Sequence, residues 1–385
     1  MDISKTKNIR LSIIKEIELL ASKVPNAISL AQGILSFETP EVIKNFAKRA
    51  IDNNLVSKYS LCPGLPELRE IISEKLKKDN MIYGPSTEII ITAGAIEGIT
   101  ATLLTILERD DEVLIPSPTY VSYSEAIKVA GGIPISVPLD EEKSWSINTN
   151  YFKEKITPRT KAIFFCNPNN PTSTIYSKQE VQELEELAKE FNLFIITDEV
   201  YKDFIYEDIE YYSPAQNPEI KDRVVRIFSF SKAFAMTGWR IGFVHSSKEN
   251  IAEIIKVHDA IVTCAPVVSQ YAAIAAFELA EEEVLRFKRE FIKRRDLILR
   301  RLDKLSNYFS YKRPNSAYFV FPKILKECSS RDIALDLLYK AKVATVSGIA
   351  FGPTGENHIR ISFGVTEEKI NEAFDRIEQY FKEQQ

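Results

Sequence analysis

Cysteine and histidine are scarce in this chain, and the few present are scattered. The four cysteines, Cys62, Cys166, Cys264 and Cys328, form no C-x-x-C pair and no zinc spacing, so reduced thiols in a cytoplasm are the expectation. Cys62 and Cys166 lie beside motifs discussed below but read as small buried hydrophobes. The three histidines, His245, His258 and His358, are too separated for a metal cluster or a catalytic dyad. They read as structural or surface residues, and a metal enzyme is disfavoured. No apolar run is long enough to span a bilayer. Neither sign of charge dominates: 50 Lys and Arg stand against 54 Asp and Glu, a formal charge of -4. Nucleic acid and anionic membranes are therefore not expected as partners. Lys5, Lys7 and Arg10 open the chain without a signal-peptide core behind them, and Glu16 and Glu18 do not suit an acid-poor transit peptide. The stretch Ile9 to Leu20 reads instead as an amphipathic helix, with Leu11, Ile14 and Ile17 on one side.

What is there is a long alternation of strand and helix patterns. Apolar runs at Ile89–Thr92, Glu112–Ile115, Ile133–Val137, Ala162–Cys166, Phe194–Thr197, Val224–Phe230 and Ile241–Val244 read as strands. Helical patterns lie between several of them: Gly94 to Leu107, Tyr120 to Val129, Lys178 to Glu190. This rhythm predicts an α/β fold with a mostly parallel sheet covered by helices, whose ligands gather at the carboxyl ends of the strands. From about Val284 the character changes. A long charged helix through Lys293, Arg294 and Arg295 to Arg301 reads as a solvated face. Shorter elements follow at Tyr318–Phe321, Arg331–Ala341, Val343–Val346, His358–Phe363 and Glu367–Phe381. At 385 residues two domains are expected: a large one over 40–283 and a smaller α+β one over 284–385, with 1–39 packing against the latter.

The most informative stretch is S-F-S-K-A-F-A-M-T-G-W-R-I-G, from Ser229 to Gly242. Ser229, Ser231 and Arg240 can hold a phosphate dianion, and Lys232 can form a Schiff base with a carbonyl. Pyridoxal 5'-phosphate requires that pairing. The strand before it places Lys232 where a buried strand opens into a loop. Asn167 to Thr172, N-P-N-N-P-T, follows another strand; it reads either as a plain Pro-Asn turn or as a rigid mount for the Asn170 side chain. Asp198 ends an apolar strand and begins D-E-V-Y. A carboxylate there is costly unless paired, and a protonated pyridine nitrogen would suit it; a helix N-cap is the plainer alternative. Tyr201, three residues on, could donate to a phenolate oxygen on the same ring. Gly94-Ala95 opens a helix whose first N–H groups could approach a phosphate. Tyr120 could stack on a flat ring or simply pack in the core. Arg360, in H-I-R-I-S-F, lies in an apolar strip and needs an anion, either a substrate carboxylate or a structural acid.

Taken as a set and in this order, the motifs resemble those of the class I/II (fold type I) pyridoxal-phosphate aminotransferases, from about Ile28 to the C-terminal helix. The resemblance implies the aspartate aminotransferase-like, three-layer α/β/α architecture with a smaller α+β domain. It implies that Lys232 carries the cofactor's aldehyde and that Asp198 pairs with the ring nitrogen. Asn170 and Tyr201 would bond the phenolic oxygen. Ser229, Ser231, Arg240 and the backbone of Ala95 and Ile96 would hold the phosphate, and Tyr120 would cover the ring. Arg360, helped by Asn170 and the backbone of Gly33, would bind the substrate α-carboxylate. Tyr59, in S-K-Y-S-L-C-P-G, matches a tyrosine that reaches the neighbouring subunit's phosphate, which implies a homodimer. Two positions depart from the pattern: Ser173 replaces a frequent glycine, and G-I-L (Gly33 to Leu35) replaces G-x-P. Ile96 stands where aspartate-type members of one subgroup carry a lysine, which favours an aromatic or other apolar amino donor, with 2-oxoglutarate as the expected acceptor. A β-lyase or an aspartate-type aminotransferase on the same scaffold are the competing readings; a ligand sensor and a cofactor-free relative fit less well.

Overall fold

The computed structural model describes residues 7, 9 and 11–384; Lys5 and Arg10 lie outside the described residues. A short strand β1 (Ile28–Ser29) precedes seven that form one sheet: β2 (Ile89–Thr92), β3 (Glu112–Ser117), β4 (Ile133–Pro138), β5 (Thr160–Cys166), β6 (Phe194–Asp198), β7 (Val224–Ser229) and β8 (Gly242–His245). Their order is β2-β8-β7-β6-β5-β3-β4, and only β8 runs antiparallel to its neighbours. The expected mostly parallel sheet is therefore the one observed. β2, β3, β7 and β8 are buried along their whole length, because helices cover both faces; this is why they read as continuous rather than alternating apolar runs.

The helix Lys178–Glu190 has the bounds its pattern predicts. A reciprocal Ser177–Glu180 capping box starts it. Register places Cys166 of β5 opposite Asp198 of β6, and Asp198 opposite Ile227 of β7. The chemistry-bearing loops after these three strands thus leave the sheet at one level.

The C-terminal part holds β9 (Phe309–Ser310), β10 (Phe319–Val320), β11 (Lys323–Ile324), β12 (Val343–Ala344), β13 (Val346–Ser347) and β14 (Ile359–Ser362), with helices Ser330–Tyr339 and Glu367–Lys382. The run Val343–Val346, expected as one strand, is two. β12 pairs with β1 from the N-terminal segment, and β13 pairs with β14. Both halves are fully buried, so the residue pattern carries no trace of the break. β14 also pairs with β10, which carries Arg360 back beside Phe319.

Several readings change. The first helix is Ile13–Ala21, not from Ile9, and Leu11 is 87% exposed rather than on the packed side. The long helix is Glu281–Asp303, and not all its charges are solvated: Arg294, Arg295 and Arg301 are buried. Arg294 donates to Ser36 Oγ at 2.9 Å and lies over the Phe37 ring, while Arg301 pairs with Glu378 and Asp375. These partners come from distant segments, so the helix pattern alone could not show them. All three histidines are buried, none at the surface. Among the described residues no cluster could hold a metal, and no helix is long and apolar enough to cross a membrane.

Candidate active site

The carboxyl ends of β5, β6 and β7 face the N-terminus of helix Ala95–Ile106 across a cavity of about 550 Å³. Every site residue expected from the sequence lines it, except Tyr59. Tyr59 is 83% exposed and does not line this chain's own cavity.

Lys232 does not sit in an open loop. It stands in a one-turn helix, Phe230–Ala233, directly after β7. Ser229 closes that strand and caps the turn: its Oγ accepts from the Ser231 N–H at 3.2 Å and donates to Ser231 Oγ at 2.9 Å. Lys232 Nζ donates to the Gly33 carbonyl at 2.7 Å, and Tyr318 Oη donates to the same oxygen at 2.9 Å. Burial, then Arg360, lowers the Lys232 pKa to about 8; Asp198 opposes this, and Arg240 adds to it. A neutral amine is thereby within reach near neutral pH, as a proton-accepting lysine requires.

Asp198 ends β6, fully inside the protein. Burial raises its pKa to about 6, against a hydrogen bond from Tyr123 Oη to Oδ2 (2.8 Å) and one from the Val200 N–H to Oδ1 (3.2 Å). Sequence reasoning missed Tyr123. Its spacing of three from Tyr120 is no helix-face signal, because the helix begins at Ser122, after Tyr120. The two rings meet edge to face at 5.4 Å.

Asn170 bridges two other groups. Its Nδ2 donates to Tyr201 Oη at 3.3 Å, and its Oδ1 accepts from Arg360 Nη1 at 3.0 Å. Arg360 also donates from Nη2 to the Ala31 carbonyl and lies over the rings of Phe319 and Phe351. It is 1% exposed, yet among the described residues no carboxylate pairs with it, and its Nε has no hydrogen-bond partner. Burial lowers its pKa to about 10, and the nearby hydroxyls of Tyr201, Tyr120 and Tyr318 offset that only in part. The two departures from the pattern have local explanations. Ser173 holds the left-handed backbone that favours glycine, at φ 56°, and its Oγ is taken by the Phe319 carbonyl at 2.9 Å. In the G-I-L segment Leu35 is buried while Ile34 faces the cavity.

Two features fit a phosphate-bearing aldehyde, and a third fits a carboxylate beside it. First, Gly94 has φ 82°, and a Cβ there would fall 2.3 Å from Arg240 Nη2. The Arg240 guanidinium thus lies against the bare backbone at the start of the helix, and Ser229 and Ser231 line the same cavity. Helix N–H groups, hydroxyls and a guanidinium together make an anion cradle. Second, Asp198 and Lys232 line the same cavity, an acid that needs a cation and an amine made available. Third, the orphaned Arg360 Nε asks for one further acceptor.

The class I and II aminotransferase family model matches residues 25–377. The aspartate aminotransferase of Pyrococcus abyssi is 39% identical over 376 residues, 97% of this chain and 96% of its own. Aromatic-amino-acid aminotransferase 2 of Thermococcus litoralis is 38% identical over 376 residues, with the same coverage of each chain. The crystal structure of an aromatic aminotransferase from Pyrococcus horikoshii superposes with a TM-score of 0.90 at 37% identity, covering 96% of this chain and 99% of that one. The chain belongs to the class I and II aminotransferases, and it is a pyridoxal-phosphate-dependent aminotransferase with the aspartate aminotransferase fold.

Proposed function

We propose that this aminotransferase takes the amino group of an L-amino acid, aromatic or otherwise apolar, and passes it to a 2-oxo acid such as 2-oxoglutarate in a ping-pong cycle. The observation that carries the reading is Arg360: a buried guanidinium without an acid, in one cavity with Lys232. Every amino acid and every 2-oxo acid brings the same carboxylate to it, so both half-reactions can share one seat. Asn170 and the ring of Phe319 hold that guanidinium in place. Ile14, Ile34 and Ile96 supply apolar wall where a substrate side chain would lie. Relatives named for aromatic amino acids and for aspartate both resemble the chain.

The bound cofactor supplies a ring that accepts the electron pair left when a substrate's Cα loses its proton. The protein's part is to hold and to move protons. Asp198, kept charged by a cationic partner, would anchor the ring nitrogen, with Tyr123 fixing the carboxylate's orientation. Asn170 and Tyr201 would bond the phenolic oxygen, and Tyr120 would cover the ring. Ser229, Ser231, Arg240 and the backbone of Ala95 and Ile96 would hold the phosphate. Lys232, its pKa lowered to about 8 by burial and neighbouring guanidinium groups, is the base for the Cα proton. The same reading takes 40–283 as the cofactor-holding domain and 284–385, with 1–39, as the smaller one. Its working unit is a homodimer in which Tyr59 completes the neighbour's phosphate site.

A panel of amino acids with 2-oxoglutarate or pyruvate as acceptor tests this. Parallel lines in double-reciprocal plots are expected, with aromatic donors among the best. Release of pyruvate and ammonia without any acceptor would mean β-lyase chemistry instead. Lys232→Ala should lower turnover by about 10²–10⁴-fold from lost proton transfer alone; undiminished turnover would remove Lys232 from its role.

A further inference from the structure

Four cations line the cavity: Lys15, Lys232, Arg240 and Arg360. The reading above employs three of them. Lys15 has no task in it. It stands near the start of helix Ile13–Ala21, is exposed, and pairs with no carboxylate among the described residues. The two acids of that helix are engaged elsewhere: Glu16 with Arg331 at 3.2 Å, and Glu18 with Ser29 Oγ. Glu125, the acid facing the same space from helix Ser122–Val129, is held by Lys128 at 2.8 Å.

Glu18 fixes where this helix lies. Its charge acts on the Arg360 guanidinium, and its Ser29 partner is two residues from Ala31, whose carbonyl accepts from Arg360. Lys15 is three positions earlier, on the same helix face as Glu18 and about one turn, or ~5 Å along the axis, toward the helix start, where it lines the cavity and Glu18 does not. A substrate seated on Arg360 by its α-carboxylate would send its side chain into the space between Ile14, Ile34 and Ile96. That wall suits an aromatic side chain. A second carboxylate against it would lack a partner, which is unfavourable.

The geometry points to Lys15 as the residue that admits dicarboxylates, the 2-oxoglutarate and glutamate half of the cycle, to a site whose fixed walls suit apolar side chains. A lysine suits this double duty. Its charge is compact and its stem flexible, so the ammonium stays in water while an aromatic side chain fills the cavity and turns inward when a second carboxylate arrives. This rests on the proposed seating of the α-carboxylate at Arg360.

The test uses the pyridoxal-phosphate-loaded enzyme and its Lys15→Met and Lys15→Arg variants. Losing a charge-assisted contact should lower the ratio of kcat/KM for 2-oxoglutarate to that for phenylpyruvate about 10- to 100-fold in Lys15→Met. The change should appear in KM, shrink at high salt, and be largely restored in Lys15→Arg. Calorimetric titration with maleate, a dicarboxylate, and 3-phenylpropionate, a monocarboxylate, gives a readout free of turnover. Maleate should weaken at least about tenfold more than 3-phenylpropionate in Lys15→Met. An unchanged ratio, or equal weakening of the two acids, overturns the proposal. Failure of the wild-type enzyme to use any 2-oxo acid would sink the functional reading, while the maleate titration would still decide Lys15.

Discussion

Arg226 in β7 and Arg360 in β14 are both arginines inside strands, and neither is more than 1% exposed. Their surroundings differ in one respect. Arg226 has its acid: Glu199, itself fully buried, accepts from its Nε, Ser213 Oγ donates to the same carboxylate, and His245 lies 3.1 Å from Nη1. Burial pulls Arg226 down, but Glu199, helped by Tyr211, outweighs that and leaves its pKa raised. Arg360 has carbonyl oxygens and aromatic faces but no acid, and burial leaves its pKa lowered. A buried arginine that has its acid is architecture, even though its Nη2 finds no partner. A buried guanidinium short of one anion is a site, because a ligand's carboxylate can complete what folding left open. Asp198 is the counterpart of opposite sign, an acid short of one cation.

The largest expected effect lies on the closed side of this comparison. Glu199→Ala leaves Arg226 charged and alone, which should cost about 3–5 kcal/mol of stability. Chemical denaturation reads this directly, and a loss below 1 kcal/mol would mean that water already serves Arg226.

Next comes Asp198, where the open site should behave in the opposite way. Its folded pKa of about 6 lies above the ordinary 3.8. A raised pKa means that its contribution to stability is full below about pH 3.8 and is lost as pH rises through 6. In the apoprotein the stability difference between Asp198→Asn and the parent should therefore move in the variant's favour as pH rises from 4 to 7, by up to about 3 kcal/mol. The same variant should lose most turnover once loaded. A stability difference independent of pH would show that Asp198 is not desolvated as described.

Arg360→Ala should lower kcat/KM about 10- to 100-fold for all amino acids alike, the worth of a charge-assisted contact. Impairment of a single substrate would place the shared carboxylate elsewhere. The smallest effect is expected of Tyr123→Phe, which removes one neutral donor from Asp198 and should cost about 1 kcal/mol, or five- to tenfold in turnover. Full activity across pH 5 to 9 would show that the Val200 N–H alone orients the carboxylate.

Much of this was legible in one dimension. The seven strands of the large sheet and the residues that end them could be read because each is a local run of apolar residues with a chemically distinct side chain after it. Lys232, Asp198 and Asn170 are such residues. Tyr123 could not be read from its spacing to Tyr120, which precedes the helix. Tyr318 and Phe319 could not either, since Phe319 meets Arg360 through the pairing of β10 with β14 and Tyr318 meets Gly33 of the distant N-terminal segment. Nor could the partners of Arg294 and Arg301, which turn a helix face expected in solvent into a packed one.

Which groups can do chemistry, and their order along the chain, were thus determined by the sequence alone, since side-chain type and local periodicity are local properties. Whether a given charge would be matched was not. Arg226 and Arg360 look alike as letters, each an arginine among apolar neighbours. Only the folded chain brought Glu199 to one and withheld an acid from the other, because ion pairing acts over a few ångströms in space and sequence distance does not measure those.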